Sequence, residues 1–302
     1  MLGPAEREAI VAAVGEAEVR FDEPMSRHTT LRIGGPVDAW VTPRDLQSLR
    51  QLRAACHQLG VRSRGFGSGS NLLVKDGGIR GVAISLKHLT SIGSNGTRVW
   101  VDAGASTGKL LDYSMRKDLG GVEFLGGVPG TVGGGMIMNA GTYLGEFKDV
   151  TVHVDSVDEQ GNLQHRKNEE CGFRYRHSDL PASEVVFQAN LELRPRPRAE
   201  IEAVVKELRE RRRAREPHGV PNAGSIFKNP PNDFAGRLIE QCGLKGRRVG
   251  GAEVSPAHAN WLVNAGGATA RELLELVEIV RAAVVERFGV RLELEVKVVG
   301  ED

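Results

Sequence analysis

The chain has 302 residues, of which 40% are hydrophobic and 26% charged, with a formal net charge of +1. That length can bury a substantial core and divide into two or three lobes, and a balance this near neutral excludes a global field drawing the molecule to nucleic acid or a membrane surface. Glycine is the outlier, at 38 residues against an average usage of about 7%, and it clusters in a few loops without a collagen-like period.

From the N-terminus, residues 1–20 read as an amphipathic helix. Glu6, Arg7, Glu8, Glu16 and Glu18 interrupt the uninterrupted apolar core that a signal peptide needs. No stretch approaches the ~20 apolar residues of a membrane span, so the expectation is a soluble, cytoplasmic protein. Residues 29–42 suggest two short strands hinged at Gly34-Gly35-Pro36, followed by a helix over 44–59 with Leu46, Leu49, Leu52 and Cys56 at helical spacing. A glycine loop, 65–71, leads into apolar strands at 72–75 and 81–86. Further strands are expected at 98–103, 150–157 and 185–193, with a helix over 110–117.

Composition shifts at Pro195 and Pro197, a lobe boundary. Beyond it Ile201, Val204, Val205 and Leu208 mark a helix that runs into the basic segment 211–215, read as a solvated helix end. Helices follow at 233–242 and 270–288. Residues 290–299 close the chain as a strand whose alternation puts Leu292, Leu294, Val296 and Val298 on one face and Glu295 on the other. The fold class is α+β, with sheets and helices partly segregated.

Cys56, Cys171 and Cys242 are far apart and odd in number, which predicts reduced thiols. No CxxC or HxxxH spacing points to a metal, and none is expected.

Three loops carry the candidate chemistry. In the first, Gly65-Phe66-Gly67-Ser68-Gly69-Ser70-Asn71 resembles a dinucleotide fingerprint with glycines at 65 and 67, but Ser70 takes the third glycine's place and a strand follows where a helix should. The Rossmann reading therefore fails; a nest of backbone N–H groups for a pyrophosphate remains, with a plain tight turn as the alternative. The second loop, 126–135, places six glycines in ten residues, too high an entropic cost for idle packing. Together with 136–141 it suits a flat aromatic ring lying on backbone, with Asn139 at the ring's polar edge. The third loop, 221–230, is fenced by Pro221 and Pro230 and holds the hydroxyl of Ser225 near Lys228 and Asn229. It is suited to presenting one proton-bearing group beside phosphate ligands. Between them, Arg176 beside Tyr175 offers a cation for developing negative charge on a carboxylate or enolate. Glu295 reads as solvent-facing unless its strand runs beside a cofactor.

Eight segments in this order carry a resemblance: HTTLRIGGP (28–36), GSGSNLLV (67–74), GVPGTVGG (127–134), MNAGTY (138–143), YRHS (175–178), NAGSIFKNP (222–230), AGRLIEQCGLKG (235–246) and LELEV (292–296). The chain resembles the UDP-N-acetylenolpyruvoylglucosamine reductase family, in its shorter, second type. The resemblance implies a two-lobed FAD-binding part of the vanillyl-alcohol-oxidase class and a substrate lobe. The lobes would be 1–88 with 292–302, 89–200, and 201–291. It also implies non-covalent FAD, NADPH as reductant and a UDP-sugar substrate, in a monomer with neither nucleic-acid nor membrane partner.

By the same resemblance, Gly67 to Asn71 meet the FAD pyrophosphate, and Gly127, Pro129, Gly130, Thr131, Gly133 and Gly134 run along the rest of the cofactor. Ser225 protonates the substrate, Arg176 and Glu295 stabilise an enolate-like intermediate, and Tyr175, Lys228 and Asn229 bind substrate. Four positions depart from the family's usual residues: Leu31 stands for phenylalanine, Glu216 for glutamine, Glu253 for an amide and Leu294 for proline. Two other readings stay open, an FAD-dependent alcohol or sugar oxidase and a non-catalytic nucleotide-sugar binder.

Overall fold

The structure, a computed structural model, describes all 302 residues. The chain forms two compact units, each built from separated segments. The first comprises Met1–Asp22, Asp38–Gly67 and Arg80–Arg211; the second comprises Glu23–Val37, Ser68–Ile79 and Arg212–Asp302.

Two sheets share one core in the first unit. A four-stranded sheet has the order Val19–Pro24, Pro36–Val41, Ile79–Ser85, Ser63–Phe66, with Ser63 opposite Val82 in a parallel pair. A five-stranded antiparallel sheet has the order Leu163–Lys167, Thr151–Val157, Val185–Glu192, Arg98–Asp102, Ile92–Asn95. Alternation explains its packing: Val99 and Val101 turn inward while Trp100 stays exposed. The helix Leu46–Gln58 starts where Asp45 accepts the Ser48 N–H at 2.7 Å and buries Leu49, Leu52 and Cys56. On the same helix Arg53 is 1% exposed. Its guanidinium donates to the Ser63 and Asp158 carbonyls at 2.7 and 3.0 Å and to that of Ser183. A buried charge is tolerated there because backbone acceptors surround it.

In the second unit a three-stranded antiparallel sheet (Arg248–Val249, Ala252–Val254, Leu262–Asn264) packs with the helices Ala235–Gln241 and Ala270–Phe288. The longer helix buries Leu273, Leu276, Val277, Val280 and Val284 along one face. Its first turn is closed by a Thr269–Glu272 capping box, and the N–H groups of Ala270 and Arg271 reach the Asp76 carboxylate at 2.9 and 3.0 Å.

Four expected elements come out differently. The first helix is only Pro4–Val14; Gly15 at φ +89° breaks it, and Val19–Pro24 is a strand. Residues 29–35 form a turn, because the Thr29 hydroxyl donates to the Ile33 carbonyl at 2.8 Å and Arg32 sits at φ +54°. Only Pro36–Val41 is extended. The second glycine loop ends at Thr131, where a helix, Val132–Met138, takes over. The closing strand shrinks to Lys297–Val299, paired in parallel with Leu72–Val74. Upstream of it the backbone divides its hydrogen bonds between two partners, Glu295 N–H to the Ile226 carbonyl and Lys297 N–H to the Asn71 carbonyl, so no regular ladder forms.

The three cysteines are free thiols, and burial pushes Cys171 up to about 11. No helix is long and apolar enough to cross a membrane.

Candidate active site

In the first unit the two glycine loops touch. Strand Ser63–Phe66 runs into Gly67, where a Cβ would lie 2.6 Å from the Thr131 hydroxyl oxygen. Thr131 in turn caps the helix Val132–Met138 by accepting the Gly134 N–H at 3.3 Å. The loop before it, with Gly127 at φ +88° and Gly130 at φ +136°, is anchored by Thr107. That residue's hydroxyl donates to the Val128 carbonyl at 2.6 Å, and its N–H to the Gly130 carbonyl at 3.1 Å. A trans peptide points its carbonyl and N–H in opposite directions. Turning the Gly130 carbonyl toward Thr107 therefore directs the Thr131 N–H away from it.

The same device recurs in the second unit. The Thr30 N–H and hydroxyl both donate to the Gly69 carbonyl at 3.3 Å, which sends the Ser70 N–H to the opposite side of its loop. Gly69 is buried at φ +68°, and a Cβ there would lie 2.1 Å from the His28 carbonyl oxygen. Gly69→Ala is expected to destabilise the fold by at least about 1–3 kcal/mol and to lower the flavin content of the purified protein. Urea unfolding and the ratio of flavin to protein absorbance check both. A loop gripped through its carbonyl, with its amide turned outward, suits an anionic group.

Arg176 sits on a turn that three side chains fasten. Arg174 and His177 exchange backbone hydrogen bonds at 2.9 and 3.0 Å, which forces Arg176 to φ +54°. The Asn139 amide donates to the Arg174 carbonyl at 3.1 Å, Ser178 Oγ to the Ile137 carbonyl at 2.9 Å, and Arg176 Nη2 to the Gly141 carbonyl at 3.0 Å. Tyr175, half exposed, lies under the guanidinium with 4.9 Å between the Arg176 Cζ and its ring centre. Asn139 corrects an expectation. It is fully buried at φ +41°, and its side chain oxygen accepts the Lys148 N–H at 2.9 Å while its amide holds Arg174. It orders the arginine turn from inside the unit rather than presenting its amide to a ring.

Ser225 and Glu295 are brought together in the second unit. Asn260, 3% exposed, clamps the serine loop: its side chain oxygen accepts the Phe227 N–H at 3.0 Å, its amide donates to the Phe227 carbonyl at 2.8 Å, and its own carbonyl accepts the Ile226 N–H at 2.9 Å. Against this loop lies 293–296, through Glu295 N–H to the Ile226 carbonyl and Lys228 N–H to the Glu293 carbonyl, both at 2.8 Å. Asn71 then ties in the first glycine loop, donating to the Glu295 carbonyl at 3.1 Å. Thr30 closes the set through its hydroxyl and the Asn222 carbonyl at 2.6 Å. Glu295 is half-buried rather than solvent-facing.

Lys228 and Asn229 have partners of their own. Lys228 Nζ lies 3.4 Å from the Glu293 carboxylate, and the Asn229 side chain oxygen accepts the Ala235 N–H at 3.1 Å at the start of the helix Ala235–Gln241. Ser68 is exposed and its hydroxyl donates to that of Ser70 at 3.3 Å; Pro129 is exposed beside Gly127. Thr30, Asn222 and Asn260 were not singled out in the sequence. Each works through a backbone contact with a distant segment, and only the first two fall in segments with a recognisable signature.

Residues 37–166 match the FAD binding domain family, and residues 216–299 match the C-terminal domain of UDP-N-acetylenolpyruvoylglucosamine reductase. The UDP-N-acetylenolpyruvoylglucosamine reductase of Moorella thermoacetica is 44% identical over 284 residues, covering 94% of each chain. The chain belongs to the UDP-N-acetylenolpyruvoylglucosamine reductase family. Reductase 2 of Symbiobacterium thermophilum is 45% identical over 94% of this chain and 93% of its own. The crystal structure of the Thermus caldophilus reductase superposes with a TM-score of 0.80 at 37% identity, over 93% of this chain and 98% of that one. An alkyldihydroxyacetonephosphate synthase and the glucose dehydrogenase Phl p 4.0202, each 14% identical at a TM-score of 0.51, share the fold alone. The fold is α+β, of the vanillyl-alcohol-oxidase class, and carries an FAD-binding domain.

The family's amide positions that are acidic here are each met by an arginine. The Glu216 carboxylate lies 2.8 Å from Arg212, and Glu253 takes two contacts from Arg248 at 2.9 and 2.6 Å. Burial raises the Glu216 pKa, with Arg212 acting in the opposite direction. Leu31 is fully buried in the second unit's core, where an apolar residue is what the site requires.

Proposed function

We propose that this protein reduces UDP-N-acetylglucosamine enolpyruvate to UDP-N-acetylmuramate at the expense of NADPH, in the cytoplasmic synthesis of peptidoglycan precursors. What carries the reading is that, in a chain of this reductase family, Asn71, Ser225 and Glu295 are gathered in one unit by a continuous set of backbone contacts. FAD, when bound, would supply a two-electron relay between NADPH and the enolpyruvyl group.

The rest of the chemistry falls to side chains. Hydride addition at C3 moves charge onto the substrate carboxylate. Arg176 stabilises that charge, its guanidinium oriented by the Gly141 carbonyl and the Tyr175 ring. Glu295, in its acid form, donates a further hydrogen bond to the same group. The Ser225 hydroxyl gives its proton to C2, a transfer that a neutral alcohol makes only to a strongly basic carbanion. Gly67 to Asn71 hold the FAD pyrophosphate; Gly127, Pro129, Gly130, Thr131, Gly133 and Gly134 follow the remainder. Tyr175, Lys228 and Asn229 receive the nucleotide-sugar, with Lys228 exchanging Glu293 for phosphate. That exchange is easy because the pair is a long surface contact at 3.4 Å. We assign the work to three lobes, 1–88 with 292–302, 89–200 and 201–291, in a monomer.

An absorbance titration tests the assignment. The purified protein is expected to show isoalloxazine bands, to bleach with NADPH under anaerobic conditions, and to recover its colour on addition of the enolpyruvyl sugar alone. A colourless protein that takes up no flavin, or a reduced flavin that the sugar leaves bleached, overturns it. Rapid oxygen uptake with substrate in the absence of NADPH would instead mark an oxidase.

A further inference from the structure

Far along the five-stranded sheet of the first unit is a cluster that the reductase chemistry does not use. Strands Thr151–Val157 and Leu163–Lys167 form its outermost antiparallel pair, with Asp155 directly opposite His165. His153 lies two residues before Asp155 and so emerges on the same face of the sheet. His165 Nδ1 is 2.7 Å from one Asp155 carboxylate oxygen, and His153 Nε2 is 3.5 Å from the other. The two imidazole rings lie 4.1 Å apart, centre to centre, and one ligand atom from each of the three residues falls within 4.8 Å of the others.

We propose that His153, Asp155 and His165 form a binding site for one divalent transition-metal ion. Two imidazoles and a carboxylate are the donor set of zinc, nickel, cobalt and copper, whereas magnesium and calcium call for all-oxygen shells. Around tetrahedral zinc, with bonds of about 2.0–2.1 Å, ligand atoms stand roughly 3.3 Å apart. The contacts here bracket that spacing, so rotation of side chains suffices and the backbone need not move.

The carboxylate is already oriented. Asn190, on the neighbouring strand Val185–Glu192 and paired with His153, donates its amide to Asp155 Oδ2 at 3.0 Å. Such outer partners fix ligand geometry in metal sites. His165 has a side chain 56% exposed against 18% for Asp155, which leaves an entry path from solvent and a place for water in the fourth position. The positive neighbours are Arg98, whose charge acts on His153, and Lys167, opposite His153 in the register. Binding one ion displaces the proton in the His165–Asp155 hydrogen bond; nothing is oxidised or reduced. Spacing rules miss the site because its third ligand comes from across a hairpin.

The test uses the flavin-loaded protein, stripped of metal with a chelator and titrated calorimetrically with ZnCl2. The expected result is one zinc equivalent per chain that is lost in His153→Ala/His165→Ala, with affinity down at least about tenfold to hundredfold in the exposed single variant His165→Ala. Zinc is also expected to raise the unfolding temperature of the unaltered protein and not that of the double variant. MgCl2 is expected to give no saturable heat. Retained flavin absorbance and unchanged reductase turnover would show that both variants fold. No saturable zinc binding, or the same stoichiometry in the double variant, overturns the proposal.

Discussion

Ser225→Ala is expected to leave reduction of the flavin by NADPH at its normal rate while slowing the flavin's reoxidation by enolpyruvyl sugar by about 10²–10⁴-fold. The contrast follows from how the loop is held. Apart from the Lys228–Glu293 surface pair and the Arg281 guanidinium over the Phe227 ring, the fastenings of 225–228 run through backbone or through Asn260: Ile226 N–H and carbonyl, Phe227 N–H and carbonyl, and Lys228 N–H. Removing the serine oxygen leaves all of these in place, so the loop keeps its position and only the proton donor disappears. Stopped-flow absorbance resolves the two half-reactions separately. Equal slowing of both would mean that the hydroxyl serves binding or structure, and the proton would have to come from elsewhere. Ser225→Cys, which keeps an acidic proton on a larger atom, is expected to recover part of the lost rate.

The second large effect is expected at Arg176. Arg176→Ala should raise the barrier to substrate reduction by about 2.7–4 kcal/mol, as loss of one pre-oriented stabiliser of developing charge does. NADPH oxidation by the same variant should be little changed. Arg176→Lys is not expected to restore the rate. A lysine ammonium lacks the planar fork that donates to the Gly141 carbonyl while lying on the Tyr175 ring. Since residue 176 sits at φ +54°, Arg176→Gly makes a useful companion, deleting the charge at a position where glycine relieves backbone strain. An unchanged rate of flavin reoxidation in any of these variants would sink the assignment.

Sequence reading succeeded wherever one local signal decided the outcome. The helix Ala270–Phe288 was legible from end to end in its apolar spacing, and the structure adds a Thr269 cap and a Gly289 stop at the same bounds. The first glycine loop was rightly placed between strands, because Leu72–Val74 is apolar and extended. It failed where distant partners decide. Leu292 and Val296 are buried as the alternation foretold, yet 290–296 is not a strand, because its amides are claimed by Ile226 and its neighbours. The same blindness misread Asn139, whose amide looked available only while Arg174 and Lys148 were far away in the sequence. The helix Val132–Met138 went unseen for the opposite reason: three consecutive glycines argue against helix on propensity. There Gly133 and Gly135 lie so close to Ala103 and Phe147 that larger residues would collide with them.

One pairing has a consequence for how the protein is made. Asn71 leaves the ribosome 224 residues before Glu295, the residue whose carbonyl it holds, and Leu72–Val74 likewise waits for Lys297–Val299. A nascent chain can therefore assemble the five-stranded sheet, residues 92–192, before the glycine loop that Asn71 terminates is complete. The hydrogen bonds that complete this loop form only after residues 295–299 have been synthesised.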